Sequence, residues 1–412
     1  MSRGFLDCNA FMIDVTEKDP RKIRVFITDG YWRKTVAAVR ALGRMGLRVT
    51  VSESTYLAPA LFSRYCYRRV HSPSPVLQPS QYLDFIQDYL TRHPHEVLMP
   101  MEEGTLLLLA QHRERFAHIT RFPFAAYDDL LFARDKLKVL RRAEALDIPT
   151  PKTYEITRMD EGEQLARQVQ YPVVVKPRVG SGSTGLYYAS EPSQLSFALE
   201  RLFLSGKSPL VQERLPGDGA GIGASFLLDQ DHQIRASFVH RRIREYPVDG
   251  GPSTLRESIL HEQVRHDGAR LVQNLHLTGV AMVEFKIDSR DGKAKLLEVN
   301  PRFWGSLALA VNAGVNFPYL LTLVALELDF PPVLDYSLGH FCRWLLPGDI
   351  LHFLSNPKRW HMKPSFFQFR NPNLTYDILD MKDPLPVIGS VLSLLPFYLS
   401  RDFVHIRTRR GS

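Results

Sequence analysis

At 412 residues the chain can hold two or three domains with substantial cores, and its 44% hydrophobic and 23% charged content is that of a soluble globular protein. Three cysteines, Cys8, Cys66 and Cys342, stand too far apart for metal-type spacing and point to reduced thiols in the cytoplasm, against a disulfide framework. The formal charge of +8 is interleaved with acids and concentrates only at "HRRIRE" (240–245) and "RTRR" (407–410), which favours a basic enzyme or one with anionic substrates over a nucleic-acid reader.

In chain order, residues 1–21 read as a loose polar leader without the regions of a signal peptide. "KIRVFIT" (22–28) reads as a buried strand, "RKTVAAVRALGRMG" (33–46) as a helix and "LRVTVS" (47–52) as a strand, a βαβ unit that implies a parallel sheet. "EVLMP" (96–100) adds a strand and "EEGTLLLLAQHRERF" (102–116) a helix, so an α/β domain spans 22–125. Glu102 and Glu103 are expected to cap that helix, with contact to an amine substrate as the other role. "DKLKVLRRAEALDIPTP" (135–151) is expected to be a helix stopped by Pro149 and Pro151. A strand "YPVVVKP" (171–177), the run "GSGSTG" (180–185), "LYYA" (186–189), a helix at 192–204 and a strand "PLVQERL" (209–215) follow. "ASFLLD" and "IRASFVHRR" flank a turn at Gln230–Gln233 and read as a hairpin.

Gly180, Gly182 and Gly185 match G-x-G-x-x-G, a weak signal alone. A dinucleotide fold opens a helix there, and a P-loop continues with Lys-Ser/Thr; this chain continues with Leu186 and Tyr187. What remains is a glycine flap between antiparallel strands, whose amides, with the hydroxyls of Ser181, Ser183 and Thr184, can close over phosphates. A plain Gly/Ser hairpin turn is the alternative. Lys176 ends the strand that enters the flap and can send its ammonium to phosphates beneath it, unless it is a snorkelling surface lysine.

"VAMVEFKID" (280–288) and "KLLEV" (295–299) are apolar β-like runs around the turn composition "DSRDGK" (288–293). With the turn centred on Arg290–Gly292, Glu284 lies opposite Glu298. Glu298, Asn300 and Arg302 share a face if the strand continues through Pro301, while Val283, Phe285, Leu297 and Val299 are apolar alternates. Two facing glutamates repel unless a cation lies between them, and magnesium takes one or two carboxylates plus substrate phosphate oxygens. Asn300 can supply a neutral oxygen and Arg302 can grip a phosphoryl oxygen. A solvent-facing hairpin does not account for this one-sided distribution.

With "LLEVNPRFWGS" as its most specific element and "VVVKP" plus the flap next, the chain over residues 22–330 resembles the ATP-grasp superfamily. The resemblance implies a fold of α/β and α+β type: an N-terminal Rossmann-like pre-ATP-grasp domain (22–125), then an ATP-grasp domain (126–330) with a lid subdomain at about 151–212. Residues 331–412 remain as an extension outside it. It further implies that Lys136 and Lys176 contact ATP phosphates under Ser181–Gly185, and that Glu213 with the backbone of Arg214 and Leu215 holds adenine. Glu284, Glu298 and Asn300 would hold two Mg2+ ions, with Mn2+ as the alternative metal, and Arg302 would stabilise the transferring phosphoryl group. The implied activity is a carboxylate–amine ligase: ATP activates a carboxylate as an acylphosphate, which an amine attacks. A carboxylate kinase or carboxylase-like enzyme and a non-catalytic ATP-binding scaffold are the alternatives.

Arg241, Arg242, Arg244 and Arg256 flank the turn "DGGPS", where the resemblance implies that an acceptor binds, with Arg256 and Arg241 the favoured contacts and a solvated charged face the alternative. The partners expected are therefore small-molecule carboxylates and amines, without nucleic acid; a homodimer is compatible. "PLPVIGSVLSLLPFYL" (384–399), broken by Pro386, Gly389 and Pro396, is too short to span a bilayer and is expected to pack on the ATP domain. Peripheral membrane contact through 384–410 is the minor alternative, and Trp360, Phe366, Phe367 and Phe369 are further candidates for lining a substrate site.

Overall fold

The computed structural model describes residues 19–180, 185–217, 219–248 and 250–399; Ser181, Gly182, Ser183 and Thr184 of the expected flap, and the basic end of the tail, lie outside the described residues. The chain forms two compact units, one of residues up to 124 with 305–336 and 375 onward, the other of 125–304 with 337–374. The stretch after residue 330, expected as a separate extension, is thus divided between them.

In the first unit, strands β1 (Arg24–Ile27), β2 (Arg48–Glu53), β3 (Cys66–His71) and β4 (Val97–Met99) make a parallel sheet in the order β3-β2-β1-β4. Helix α1 (Arg33–Arg44) links β1 to β2, α2 (Pro79–Arg92) links β3 to β4, and α3 (Glu103–Gln111) follows β4. Strands buried on both faces read as continuous apolar runs, and Val25, Phe26, Ile27 and Val97, Leu98, Met99 are all fully buried. The cap on α3 does not come from Glu102, whose carboxylate instead pairs with Lys34 at 2.7 Å. Asp29, at the end of β1, accepts from the Met101 and Glu102 amides (3.1 and 2.9 Å) and from the Thr105 hydroxyl (2.7 Å). A cap delivered from 73 residues away leaves no local S/T-x-x-E signature to read.

The tail belongs to this unit, correcting the expectation that it packs on the ATP domain. Asp383, 1% exposed, accepts from Arg40 Nε (2.8 Å), Ser63 Oγ (2.7 Å) and the Arg64 amide (2.8 Å). The helix Leu385–Leu399 then packs on the turn Pro59–Phe62 and runs on through Pro396. A Cβ at Gly389 would sit 2.8 Å from Pro59 Cα, so glycine permits this close approach. Among the described residues no helix is long and apolar enough to cross a membrane.

The second unit opens with α4 (Tyr127–Arg134) and α5 (Lys136–Glu144). α5 ends well before Pro149: Asp147 takes φ +55° and the Ile148 amide turns back to the Ala143 carbonyl (2.9 Å), a left-handed C-terminal cap. A small antiparallel sheet of β5 (Thr153–Glu155), β6 (Val173–Pro177), β7 (Tyr187–Ala189) and β8 (Pro209–Glu213) runs β5-β8-β6-β7. It packs on α6 (Met159–Ala166) and α7 (Pro192–Leu204) around Val173, Val175, Leu195, Leu199 and Val211. The larger sheet comprises β9 (Gly221–Leu228), β10 (Ile234–Glu245), β11 (Ser253–Ser258), β12 (Gly279–Ile287), β13 (Ala294–Asn300), β14 (Phe341–Arg343) and an edge strand, β15 (Leu374–Tyr376). Its order is β13-β12-β9-β10-β11-β14-β15, with α8 (Glu262–Asn274) against β9, β10 and β12.

Candidate active site

The hairpin β12–β13 pairs Glu284 directly with Glu298 and Met282 with Asn300, the register the turn composition implies. Nearer the turn Phe285 pairs with Leu296, so Leu297 is an extra residue bulged out of the ladder. The paired residues put Glu284, Glu298 and Asn300 on one face. The Asn300 amide donates to both carboxylates (3.2 and 3.3 Å), and Arg302 Nη2 donates to Asn300 Oδ1 (3.0 Å). Arg302 Nε is buried and has no hydrogen-bond partner among the described residues.

Three cations surround this pair. Lys136 starts α5, with its Nζ 3.5 Å from Glu298 Oε2 and donating to the Gly180 carbonyl at 2.6 Å. Its placement is fixed by Asp135, which accepts from the Leu137 and Lys138 amides and is forked by Arg178 Nε and Nη2 (2.8 and 2.7 Å). The Lys136 amide in turn donates to the Arg178 carbonyl, tying the helix start to the end of β6. Lys176 is 8% exposed rather than snorkelling, and its Nζ donates to Gln212 Oε1 (2.9 Å). Burial pulls the Lys176 ammonium down to about 8, although Glu298 opposes this.

The third cation, Arg242, meets Glu284 Oε2 across the width of β9. Gly221 and Gly223 on β9 open that lane: a Cβ at 221 would sit 3.3 Å from Arg242 Cδ, and one at 223 would sit 2.4 Å from the His240 ring. Alternating glycines facing Glu284 are the signal that could have singled out Arg242 from its neighbours. Burial raises the Glu284 carboxyl above its usual range despite Arg242, with Glu298 adding to the rise. Burial acts the same way on Glu298, but Lys136 and Lys176 outweigh it and hold that carboxyl low.

Other expected contacts fall elsewhere. Arg241 points to the face opposite Arg242, where it pairs with Glu257 (2.6 Å), because successive strand residues alternate sides. Arg256 is fully buried, donating to the Ser253 carbonyl (3.3 Å), which leaves it no surface for a substrate. Glu213 is held by Lys295 and Arg290 (3.1 Å each) and by the Lys152 amide (3.1 Å); the Arg214 amide donates to the Pro172 carbonyl (3.2 Å). β6 and β7 flank the flap as antiparallel neighbours, Val175 opposite Tyr187, and Gly180 and Gly185 at its ends have φ of +150° and +80°.

Two carboxylates and an amide oxygen on one face, with an unpartnered guanidinium nitrogen beside them, form a donor set suited to a divalent cation that completes its shell with phosphate oxygens. Among the described residues no three His, Cys, Asp or Glu cluster into an all-protein metal cage.

Residues 133–306 match the family described as ATP-grasp domain. The chain is 23% identical over 255 residues to the D-aspartate ligase of Enterococcus faecium, an alignment covering 57% of this chain and 59% of that protein. It therefore spans about three fifths of that relative's length. By fold it is similar to the biotin carboxylase domain of Hydrogenobacter thermophilus 2-oxoglutarate carboxylase, solved with MgADP, ADP and bicarbonate (TM-score 0.63, 14% identity, 77% and 73% of the two chains). It is likewise similar to the L-amino acid ligase of Bacillus licheniformis (TM-score 0.56, 19% identity, 74% and 75%). The register of β12–β13, the lysines that converge on it and the family match together lead to one statement of kinship: this chain carries an ATP-grasp domain, over residues 133–306.

Proposed function

We propose that the protein is a cytoplasmic ATP- and Mg2+-dependent ligase that activates a small carboxylate as its acylphosphate and joins it to an amine, releasing ADP and phosphate. The observation that carries this reading is the opposed pair Glu284–Glu298, flanked by Asn300 and faced by Lys136, Lys176 and Arg302. In the structure the pair is neutralised by Arg242 and Lys136, cations that a divalent ion and a polyphosphate would replace. Glu284, Glu298 and Asn300 would hold the metal, whose chemistry here is charge neutralisation on the phosphate oxygens. Lys136 and Lys176 position those oxygens, and the free Arg302 Nε faces the charge that develops on transfer. No protein nucleophile is required, because the substrate carboxylate itself attacks.

Two of the similar proteins are named as ligases of amino acids, which supports an amino acid as one substrate. The test is phosphate release from ATP and Mg2+ against pooled amino acids and small carboxylic acids, for the wild type and Glu298→Gln. Release that needs both a carboxylate and an amine, and disappears in Glu298→Gln, is the expected result. Release with a carboxylate alone would assign a carboxylate kinase instead, and nucleotide binding without turnover in any pool would count for a scaffold.

A further inference from the structure

The larger sheet carries a second buried charge cluster, on its other face. Along β10, Arg242 pairs with Arg256 but Arg244 pairs with Leu255, two steps on one strand for one on its neighbour. The extra residue, Ile243, turns Arg244 away from the Arg242 face. Arg244, Leu255 and Arg343 then form one rung across β10, β11 and β14. Asp349, 0% exposed, accepts from Arg244 Nε and Nη2 (both 2.8 Å), Arg343 Nε (2.5 Å) and Thr254 Oγ1 (2.8 Å). Two guanidiniums share one carboxylate, so the cluster retains one positive charge.

That charge has a direction. Arg343 is 1% exposed, and its Nη1 and Nη2 have no hydrogen-bond partner among the described residues. Phe366 and Phe369 cover its plane, with ring centroids 4.4 and 4.9 Å from Cζ. Arg343 is one of the residues around a cavity of about 90 Å³ walled by Leu255, Phe341 and Leu374, with Ser365 and Gln368 exposed at its rim. A buried guanidinium with two N–H groups unanswered is costly, and a carboxylate answers both in one fork. A single negative charge matches the surplus, which a phosphate dianion would exceed, and the walls suit an apolar body.

We propose that this cavity binds a small organic monocarboxylate with a compact apolar body, at a site separate from phosphoryl transfer. Arg343 on β14 lies four strand spacings from Glu284 on β12, roughly 19 Å across the sheet, and on the opposite face. A ligand there contacts neither the carboxylate pair nor its cations, so the inference does not depend on the reaction proposed above.

The experiment is titration calorimetry on the full chain with acetate, butyrate and benzoate, and with neutral benzamide as the isostere. Saturable binding of butyrate or benzoate, at least tenfold weaker for benzamide, is expected. Arg343→Gln should abolish it, and Gln368→Trp, which plugs the rim without touching the ion pairs, should weaken it at least tenfold. Glu298→Gln and saturating ATP should leave it unchanged. If Arg343→Gln loses its far-UV circular dichroism, Gln368→Trp decides. Binding of none of the three acids, equal binding of benzoate and benzamide, insensitivity to Gln368→Trp, or loss on adding ATP would each overturn the proposal.

Discussion

At one end of the larger sheet, two carboxylates are answered by arginine and lysine side chains that each reach in from another element. Toward the other end, one carboxylate is clamped by two arginines at 2.5–2.8 Å with a threonine completing its shell. The groups are the same, but Glu284 and Glu298 keep 14% and 27% of their side chains exposed, whereas Asp349 keeps none. Partial exposure lets a ligand exchange for the protein's own cations; full burial with every lone pair satisfied makes the Asp349 cluster a fixture. A buried ion pair is thus a site or a strut according to whether its partners can leave without stranding a charge.

The largest test of that contrast is Asp349→Ala. Removing the shared carboxylate strands two buried guanidiniums, and urea titration should show a loss of about 3–5 kcal/mol. The matching change at the other cluster, Glu298→Gln, removes a carboxylate that Lys136 and Lys176 hold ionised, but at a partly exposed site where those lysines can turn to water, and should lower the urea result by less than Asp349→Ala does. It should still lower turnover at least a hundredfold and remove the Mg2+ dependence of nucleotide binding, an order of magnitude typical of lost electrostatic groups.

The pH dependence sharpens the same point. Lys176 loses its proton above about 8, so its ammonium is present at pH 7 and mostly absent at pH 9. Nucleotide affinity measured by calorimetry should fall about tenfold across that interval, with proton uptake on binding at the upper end. Lys176→Met should bind more weakly and show a flat profile. The smallest effect belongs to Arg241→Ala, which breaks a half-exposed pair with Glu257. Stability should change by about 1 kcal/mol or less and turnover not at all; a large loss of turnover would restore Arg241 to the substrate site.

Much of the Glu284–Glu298 end was legible because it rests on local chain geometry. Alternation along one hairpin, with a turn composition between its strands, is enough to face Glu284 with Glu298. Lys176 followed from its place at the end of a strand and Lys136 from the resemblance, since both sit where an element begins or ends. The arginines were harder to place for a related reason. Parity along β10 separates Arg241 from Arg242, but choosing between them requires knowing which strand lies beyond β9, and that strand comes forty residues later in the chain.

Local patterning was enough for the βαβ start, the hairpins and the facing carboxylates, because each depends on period-two or period-3.6 patterning over fewer than about thirty residues. It takes the folded chain to show that Asp29 caps α3, that Asp383 anchors the tail to the first unit, and that Gly221 and Gly223 open a lane for Arg242. Only there does Asp349 gather Arg244 and Arg343, with Arg343 beside a cavity. Those contacts join residues up to 343 positions apart, and a buried charge finds its partner by proximity in space, which no local pattern encodes.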